Sequence, residues 1–489
     1  MAGDFDCDVL IVGGGPTGVT LGLLAAQNGL KVIICEKEAD IYPLPRAAHI
    51  DHEVMRIFQG IGAADAIMAT SRQTTHYDFL TADGQILLRF EGSDRIGAGG
   101  WPAANMIHQP SVERVLRDRL TEYPGVELKS GWHFESFNED ADGITAKFFP
   151  ADGARTVRSQ WLVGADGARS PVRSFAGITF DDLNFDEPWL VVDAIVHDIS
   201  RLPKVNLQIC DPERPTTCVL MGNGRHRWEF MVKPDETAEQ VLDDAFVARL
   251  LEPWDVEGAI TIERKVVYRF NAKIAQQWRK GRLLLAGDAA HQTPPFAGQG
   301  MCAGIRDAAN LAWKLGRVVA GTAAPDILGT YQSERELHVR ATIGMAMMMG
   351  QTVCITDPLA AAERNRAMLD ARAAGQSPDG EIAWPPITNG FILEGTPGAG
   401  TYFPQFVSTD GSKLDDLLGH GDWLICSDSI DICHENLCVF SLSDAPVSPF
   451  ADKMELWLSE KGTQAVLVRR DRHVFGTGDP AELAAAWAG

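Results

Sequence analysis

The sequence predicts an α/β fold: a parallel sheet flanked by helices, joined to an antiparallel sheet, with a smaller α/β unit at the C-terminal end. Three observations carry this reading. A strand, a glycine loop, a helix and a second strand follow one another within about 30 residues near the N-terminus. Two further apolar runs, Trp161–Val163 and Leu283–Leu285, stop at Asp-Gly and Gly-Asp and read as buried parallel strands. Between them, residues 185–275 alternate apolar and polar residues with turns at Asp211-Pro212 and Gly222-Asn223-Gly224, the pattern of an antiparallel sheet with one packed face.

The first unit is Rossmann-like. Val9 to Val12 is a short apolar run, followed by Gly13-Gly14-Gly15-Pro16-Thr17-Gly18, a helix from Val19 to Asn28, and a strand from Lys31 to Cys35 ending at Glu36. Gly13 permits the tight turn, Gly15 lets a pyrophosphate approach the backbone, and Gly18 lets the helix pack on the strand. The helix N-terminus offers free N–H groups to phosphate. Glu36 is suited to accept hydrogen bonds from ribose hydroxyls, and it disfavours a 2′-phosphate there. A dinucleotide is therefore expected.

Composition narrows the rest. The chain has 489 residues, enough for two to four domains at about 150 each. Lys and Arg number 44 against 66 Asp and Glu, a net charge of −22, which speaks against a nucleic-acid partner. The longest apolar stretch, Ile343 to Ile355, is too short to span a bilayer and is broken by Gly344, Gly350 and Gln351. Asp4, Asp6 and Asp8 stand where a signal peptide would be basic, so a cytoplasmic protein without membrane association is expected. The nine cysteines form no CxxC pair. Cys426, Cys433 and Cys438 with His434 match no common zinc spacing, so they read as buried thiols and no metal site is expected.

Two later motifs are more specific. One runs Gly164-Ala165-Asp166-Gly167-Ala168-Arg169-Ser170 and on to Arg173; the other is Gly287-Asp288, followed by Pro294-Pro295-Phe296-Ala297-Gly298-Gln299-Gly300-Met301 and a helix from Gly304 to Val319. With the glycine loop, residues 5 to 350 resemble the single-component flavoprotein aromatic hydroxylases of the para-hydroxybenzoate hydroxylase fold. The segment Arg46–Glu53 looks most like the 3-(3-hydroxyphenyl)propionate hydroxylase branch. The resemblance implies non-covalent FAD, with Gly13, Gly15, Pro16, Thr17 and Gly18 at its pyrophosphate and Glu36 and Lys37 on the adenosine side. It puts Phe134 at the adenine, Gly287 and Asp288 at the ribitol, and Asp166, Arg46 and Gln109 beside the cofactor. Pro295, Gly298, Gln299, Gly300 and Met301 would wrap the isoalloxazine.

The resemblance further implies hydroxylation of a small phenol with O₂ and NADH or NADPH, through a flavin C4a-hydroperoxide and ortho to an existing hydroxyl. Arg46, Arg169 and Arg173 are then possible contacts of a transient nicotinamide. A base near the phenol would help. His49, His52, His108 and His291 are candidates, and His49, Arg227 and Pro295 are the expected catalytic residues. The WxWxIP motif of flavin halogenases is absent.

The expected division is an FAD-binding domain over 1–74, 91–184 and 276–380, a substrate domain over 75–90 and 185–275, and a thioredoxin-like domain over 385–489. Ala360 to Gly380 reads as a linker. Short strands are expected at Trp423–Cys426, Leu437–Ser441 and Ala465–Val468, with a closing helix from Ala481 to Trp487. The tail is expected to be dispensable for flavin chemistry and to serve structure or contact with a second copy in a homodimer.

Overall fold

The computed structural model describes residues 5–377, 379, 384–432 and 434–488. Asp4, Pro378, Gly380 and Cys433 lie outside them. The first sheet runs in the order Arg279–Lys280, Leu283–Leu285, Arg155–Gly164, Cys7–Val12, Val32–Glu36, Val126–Ser130. Its central pairs are parallel, with Leu10 opposite both Leu162 and Ile33, and Val163 opposite Leu284. These strands read as unbroken apolar runs because both faces are covered; Leu10, Ile11, Leu162 and Leu284 are fully buried. The first helix spans Pro16–Gln27, three residues longer at its start than the apolar pattern indicates, because Pro16 opens it with its fixed φ. The later helix likewise starts a turn early, spanning Gly300–Val319.

The second sheet is ordered His291–Gln292, Ile260–Ala275, Phe180–Val196, Arg225–Met231, Thr216–Leu220, Asn206–Ile209, His76–Leu80, Ile86–Glu91. One expectation needs correction. At its centre this sheet is buried on both faces, since Leu190 to Ala194 are all buried. Leu190, Val192, Trp228 and Phe230 pack on Val241, Val247 and Leu251 of two short helices. The opposite face carries Asp193, Arg227 and Glu229, also buried, and looks toward the first sheet.

The expected linker is also corrected. Pro358–Ala373 is a helix, started by the Asp357 carboxylate, which accepts from the Ala360 N–H. The last sheet is ordered Cys438–Ser441, Trp423–Cys426, Ala465–Val468, Val474–Thr477, one parallel pair and two antiparallel pairs, with helices Ala451–Glu460 and Pro480–Ala488 beside it. This mixed arrangement accords with the expected thioredoxin-like unit. Cys426 is buried there but Cys438 is exposed, against the expectation of buried thiols. No helix among the described residues is long and apolar enough to cross a membrane.

The tail does not hang free. Leu424, Leu467, Phe475 and Trp487 belong to the same apolar core as the first sheet, and Trp487 stacks on Trp313. Glu334 on the helix Thr330–Val353 bonds Lys314 at 2.9 Å and Arg469 at 2.7 Å, all three side chains fully buried. Burial pushes the Glu334 carboxyl up, but the two cations overcome this and bring it down to about 2. Arg56 reaches Asp415 with two bonds, at 3.0 and 2.6 Å, and Arg472 joins the same carboxylate at 3.0 Å. Removing one member of such a buried set leaves an uncompensated charge, at a cost of about 3–5 kcal/mol. Tail removal is therefore expected to destabilise the first unit. Arg469→Met should lower the thermal midpoint clearly in differential scanning calorimetry, through the loss of about 3–5 kcal/mol. An unchanged midpoint would show that Lys314 alone satisfies Glu334.

Candidate active site

Four parallel strands end at one level, and the residue after each end faces one cavity of about 770 Å³. Cys7–Val12 delivers Gly13 to Thr17, Val32–Glu36 delivers Glu36 and Lys37, Arg155–Gly164 delivers Ala165 to Gly167, and Leu283–Leu285 delivers Ala286 and Asp288. Open α/β sheets present ligand sites at this edge. The glycines divide by task. A Cβ on Gly18 would overlap the Gly13 carbonyl oxygen, and one on Gly13 would overlap Ala165. Gly15, with ordinary extended backbone, would meet nothing within 4 Å. Protein packing thus requires Gly13 and Gly18, while Gly15 only keeps the cavity open. Gly18 and Gly287 do not line the cavity; they act in packing, Gly287 at φ +60 against Thr17.

Two helix N-termini open into this cavity. The helix Pro16–Gln27 starts at Gly15 and the helix Gly300–Val319 at Gln299; neither has a side-chain cap or an acidic residue in its first turn. Their free N–H groups and the positive ends of both helix dipoles are left for an anionic ligand. Facing them are carboxyls with spare acceptors. Asp166 accepts from the Val172 N–H through one oxygen, and its other oxygen is buried without a partner. Asp288 is open to the cavity but deep within the protein; it makes no hydrogen bond to the described residues, and burial raises its pKa. It does not cap a helix. Glu36 lines the cavity while accepting from the N–H groups of Gly14 at 2.6 Å and Glu38 at 2.9 Å. Phe134 lines the adjoining wall, edge-on to Phe148. Free backbone donors, free carboxyls and an open glycine fit a phosphate- and ribose-bearing flavin.

Two expected contacts serve a different purpose. The Gln109 carbonyl oxygen accepts from Arg46 N–H at 3.2 Å and Ala47 N–H at 2.7 Å, and its amide donates to Glu113. Arg227 donates to Asp193 at 2.6 Å and to the carbonyls of Arg46 and Pro45. Both line the cavity, but both are engaged in strapping residues 45–47 in place. Arg227, expected to be catalytic, spends its guanidinium on these contacts while lining the cavity. Arg46 keeps its side chain at the cavity, over the Tyr42 ring. Arg173 faces elsewhere, donating to the carbonyls of Ala168 and Ala289, whereas Arg169 lines the cavity.

The loop after Asp288 forms the floor. Pro295–Ala297 is one tight turn, and Gly298 at φ +64 turns the chain into the long helix. Pro295, Gly298, Gln299, Gly300 and Met301 all line the cavity. His49, on the short strand His49–Asp51, lies against this loop with Nδ1 3.2 Å from the Gly298 carbonyl oxygen. A carbonyl only accepts, so Nδ1 carries the hydrogen and Nε2 presents a lone pair. Burial pulls the His49 pKa down, so the ring is neutral at pH 7. Among the other histidines, His52 lines the cavity but accepts from the Gly99 N–H. His108, pulled down by burial to about 4, bonds Ser111, and His291 bonds Asp307; neither lines the cavity.

The sequence reading missed the wall supplied by the second sheet: Tyr77, Asn206, Thr217 and Glu229. A signal existed. Arg227 and Glu229 alternate with His226, Trp228 and Phe230 in one strand, so two charged residues share a face that must be buried.

Residues 6–346 match the family FAD binding domain. A protein of Rhodococcus jostii (strain RHA1) named "Probable NADH-specific resorcinol 4-hydroxylase" is 38% identical, over 99% of this chain and 94% of its own. A 3-(3-hydroxy-phenyl)propionate/3-hydroxycinnamic acid hydroxylase of Mycolicibacterium smegmatis is 36% identical, over 86% of this chain and 76% of its own. Among solved structures, the p-nitrophenol 4-monooxygenase of Pseudomonas putida DLL-E4 is 25% identical with a TM-score of 0.67, covering 74% of this chain and 93% of its own. The flavin-dependent monooxygenase PieE, solved with FAD and substrate, has a TM-score of 0.82 at 22% identity over 99% of both chains, a likeness of fold. With the glycine loop, the Gly-Asp turn and the Pro-Pro loop gathered at one cavity, the chain belongs to the FAD binding domain family and is an FAD-dependent aromatic hydroxylase.

Proposed function

We propose that this protein hydroxylates a small phenol ortho to its hydroxyl group, with O₂, NADH and non-covalent FAD. The observation that carries the reading is the meeting of two uncapped helix N-termini, two carboxyls with spare acceptors and a neutral histidine with a free Nε2 at one cavity. The 38% identity to a relative named as NADH-specific supports NADH over NADPH.

When bound, FAD supplies the reduction of O₂ and the transfer of one oxygen atom to the ring. The N–H groups of Gly15 and Thr17 would hold the pyrophosphate, Asp288 would accept from the ribitol, and Glu36 and Lys37 would border the adenosine. The uncapped N-terminus of Gly300–Val319 would favour negative charge on the bound flavin. Nε2 of His49 takes the hydroxyl hydrogen of the phenol, which raises electron density at the ring carbons ortho to it. Phe90, Met106, Val219 and Phe296 line the cavity and keep water away from the reacting centre. Arg46 and Arg169 are open to a transient nicotinamide. The two eight-stranded sheets and the four-stranded sheet support a division into an FAD-binding, a substrate and a thioredoxin-like unit.

Three outcomes test this reading. Gly15→Val and Asp288→Ala should each lose FAD on ultrafiltration, where the wild type keeps one per chain; full retention by both would overturn the site. The wild type should oxidise NADH slowly alone and at least tenfold faster with its phenol, a barrier change of about 1.4 kcal/mol, and ¹⁸O from O₂ should enter the product. Label arriving from water would end the monooxygenase reading. His49→Asn should lower kcat by about 10²-fold. In the wild type kcat should fall on the acid side, below the ordinary histidine pKa, as Nε2 is protonated. That limb should vanish in the variant, and its survival would acquit His49.

A further inference from the structure

The cavity wall on the second sheet carries one polar group whose bonding capacity is unspent. Tyr77, Gln208 and Thr217 satisfy one another: Gln208 donates to the Tyr77 oxygen, Thr217 donates to Gln208 at 2.7 Å, and the Tyr77 hydroxyl reaches the Phe296 carbonyl at 3.3 Å. Asn206 accepts from the Leu220 N–H. Arg227 is spent on Asp193 and two carbonyls. Glu229 is left. It lines the cavity, is 5% exposed, and accepts no hydrogen bond from the described residues; its nearest cation is Arg227 at 3.7 Å. A buried carboxyl in that state is costly unless a ligand completes it.

Charge also sets what can enter. Facing Glu229 are Arg227 on its own strand, Asp193 and Arg264 on neighbouring strands, and Tyr77 across the wall. Asp193 is held at 2.6 Å by both Arg227 and Arg264, so the two cations and two carboxylates balance once Glu229 ionises. A ligand carboxylate set against Glu229 would add a charge that Arg227 and Arg264, already spent on Asp193 and backbone carbonyls, cannot meet.

We propose that Glu229 is the specificity-determining acceptor of the substrate pocket: it takes a hydrogen bond from a ring hydroxyl and turns away rings bearing a carboxylate, so the site takes a neutral polyhydroxylated arene. This rests on the hydroxylase reading above. Burial raises the Glu229 pKa to about 7, opposed by Arg227, so its charge, and with it the exclusion of carboxylates, grows as pH rises through neutrality.

The test is ligand binding to the FAD-loaded enzyme, read from the flavin absorbance, with resorcinol and 3-hydroxybenzoate as probes. At pH 8 the wild type should bind resorcinol at least tenfold more tightly, and the preference should shrink at pH 6, about 1.4 kcal/mol being at stake. Glu229→Gln, which keeps the shape and removes the charge, should reduce the preference at pH 8 to the level seen at pH 6. Equal binding of both probes by the wild type at pH 8, or an unchanged preference in Glu229→Gln, would overturn the proposal. Should the variant not fold, the pH dependence in the wild type decides alone. Binding with this preference but without oxygen uptake would leave the proposal standing and refute the hydroxylase reading instead.

Discussion

The site depends on how closely the helix Pro16–Gln27 approaches the strand before it. Any side chain at position 18 would occupy the place of the Gly13 carbonyl oxygen. The same economy recurs one layer out. A Cβ on Gly304 would press on Thr17 and on the Cα of Gly287, so the helix Gly300–Val319 rests directly on the first helix. These contacts fix two helix N-termini at a common level. The converging dipoles are thus a result of backbone packing, and no charged side chain is needed to create the positive potential. Asp288 inherits its position from the same contact, because Gly287 at φ +60 turns it out of the strand and into the cavity.

Charge is handled differently on the two sides of the molecule. On the flavin side the carboxyls of Asp166 and Asp288 are left short of partners; on the substrate side and at the tail almost every buried charge is matched. Taking an ion out of water costs several kcal/mol, repaid only by close and well-bonded opposite charges. Glu334 with Lys314 and Arg469, and Asp415 with Arg56 and Arg472, meet that condition with contacts between 2.6 and 3.0 Å. They join residues far apart in the chain and make the C-terminal unit part of the core. Gln405 of that unit also bonds the Ala98 and Gly99 backbone, in a loop that lines the cavity. The tail therefore supports the cavity wall.

What could be read from the sequence follows from range. The glycine loop and Glu36 are legible because they form a local pattern with a fixed spacing, and the Gly-Asp turn because it resembles a motif of a known family. The alternation that marks the second sheet was legible too, but periodicity says only that one face is buried, and here both are. The linker reading failed because Ala, Arg and Asp over 360–373 also suit a helix once Asp357 caps it. Arg227 was recognised as placed near the flavin, yet its true partners are carbonyls about 180 residues earlier, which no local pattern announces. The same holds for Arg469 and Glu334, 135 residues apart.

Residues 45–51 are where these constraints meet. Their carbonyls at Pro45 are held by Arg227 and Arg264 from the second sheet, their N–H groups at 46 and 47 by Gln109 from the first unit. His49 then touches the Gly298 carbonyl, possible because a Cβ on Gly298 would crowd the histidine at 3.1 Å. Asp51 ends the segment, capping the next helix with one oxygen and binding Arg306 with the other at 2.6 Å. One short stretch thus carries both the Arg46 and the His49 side chains to the cavity. Because both are anchored through the same backbone, the two side chains cannot shift independently. A change at Asp193, which touches neither, would release Arg227 and Arg264 together and move both.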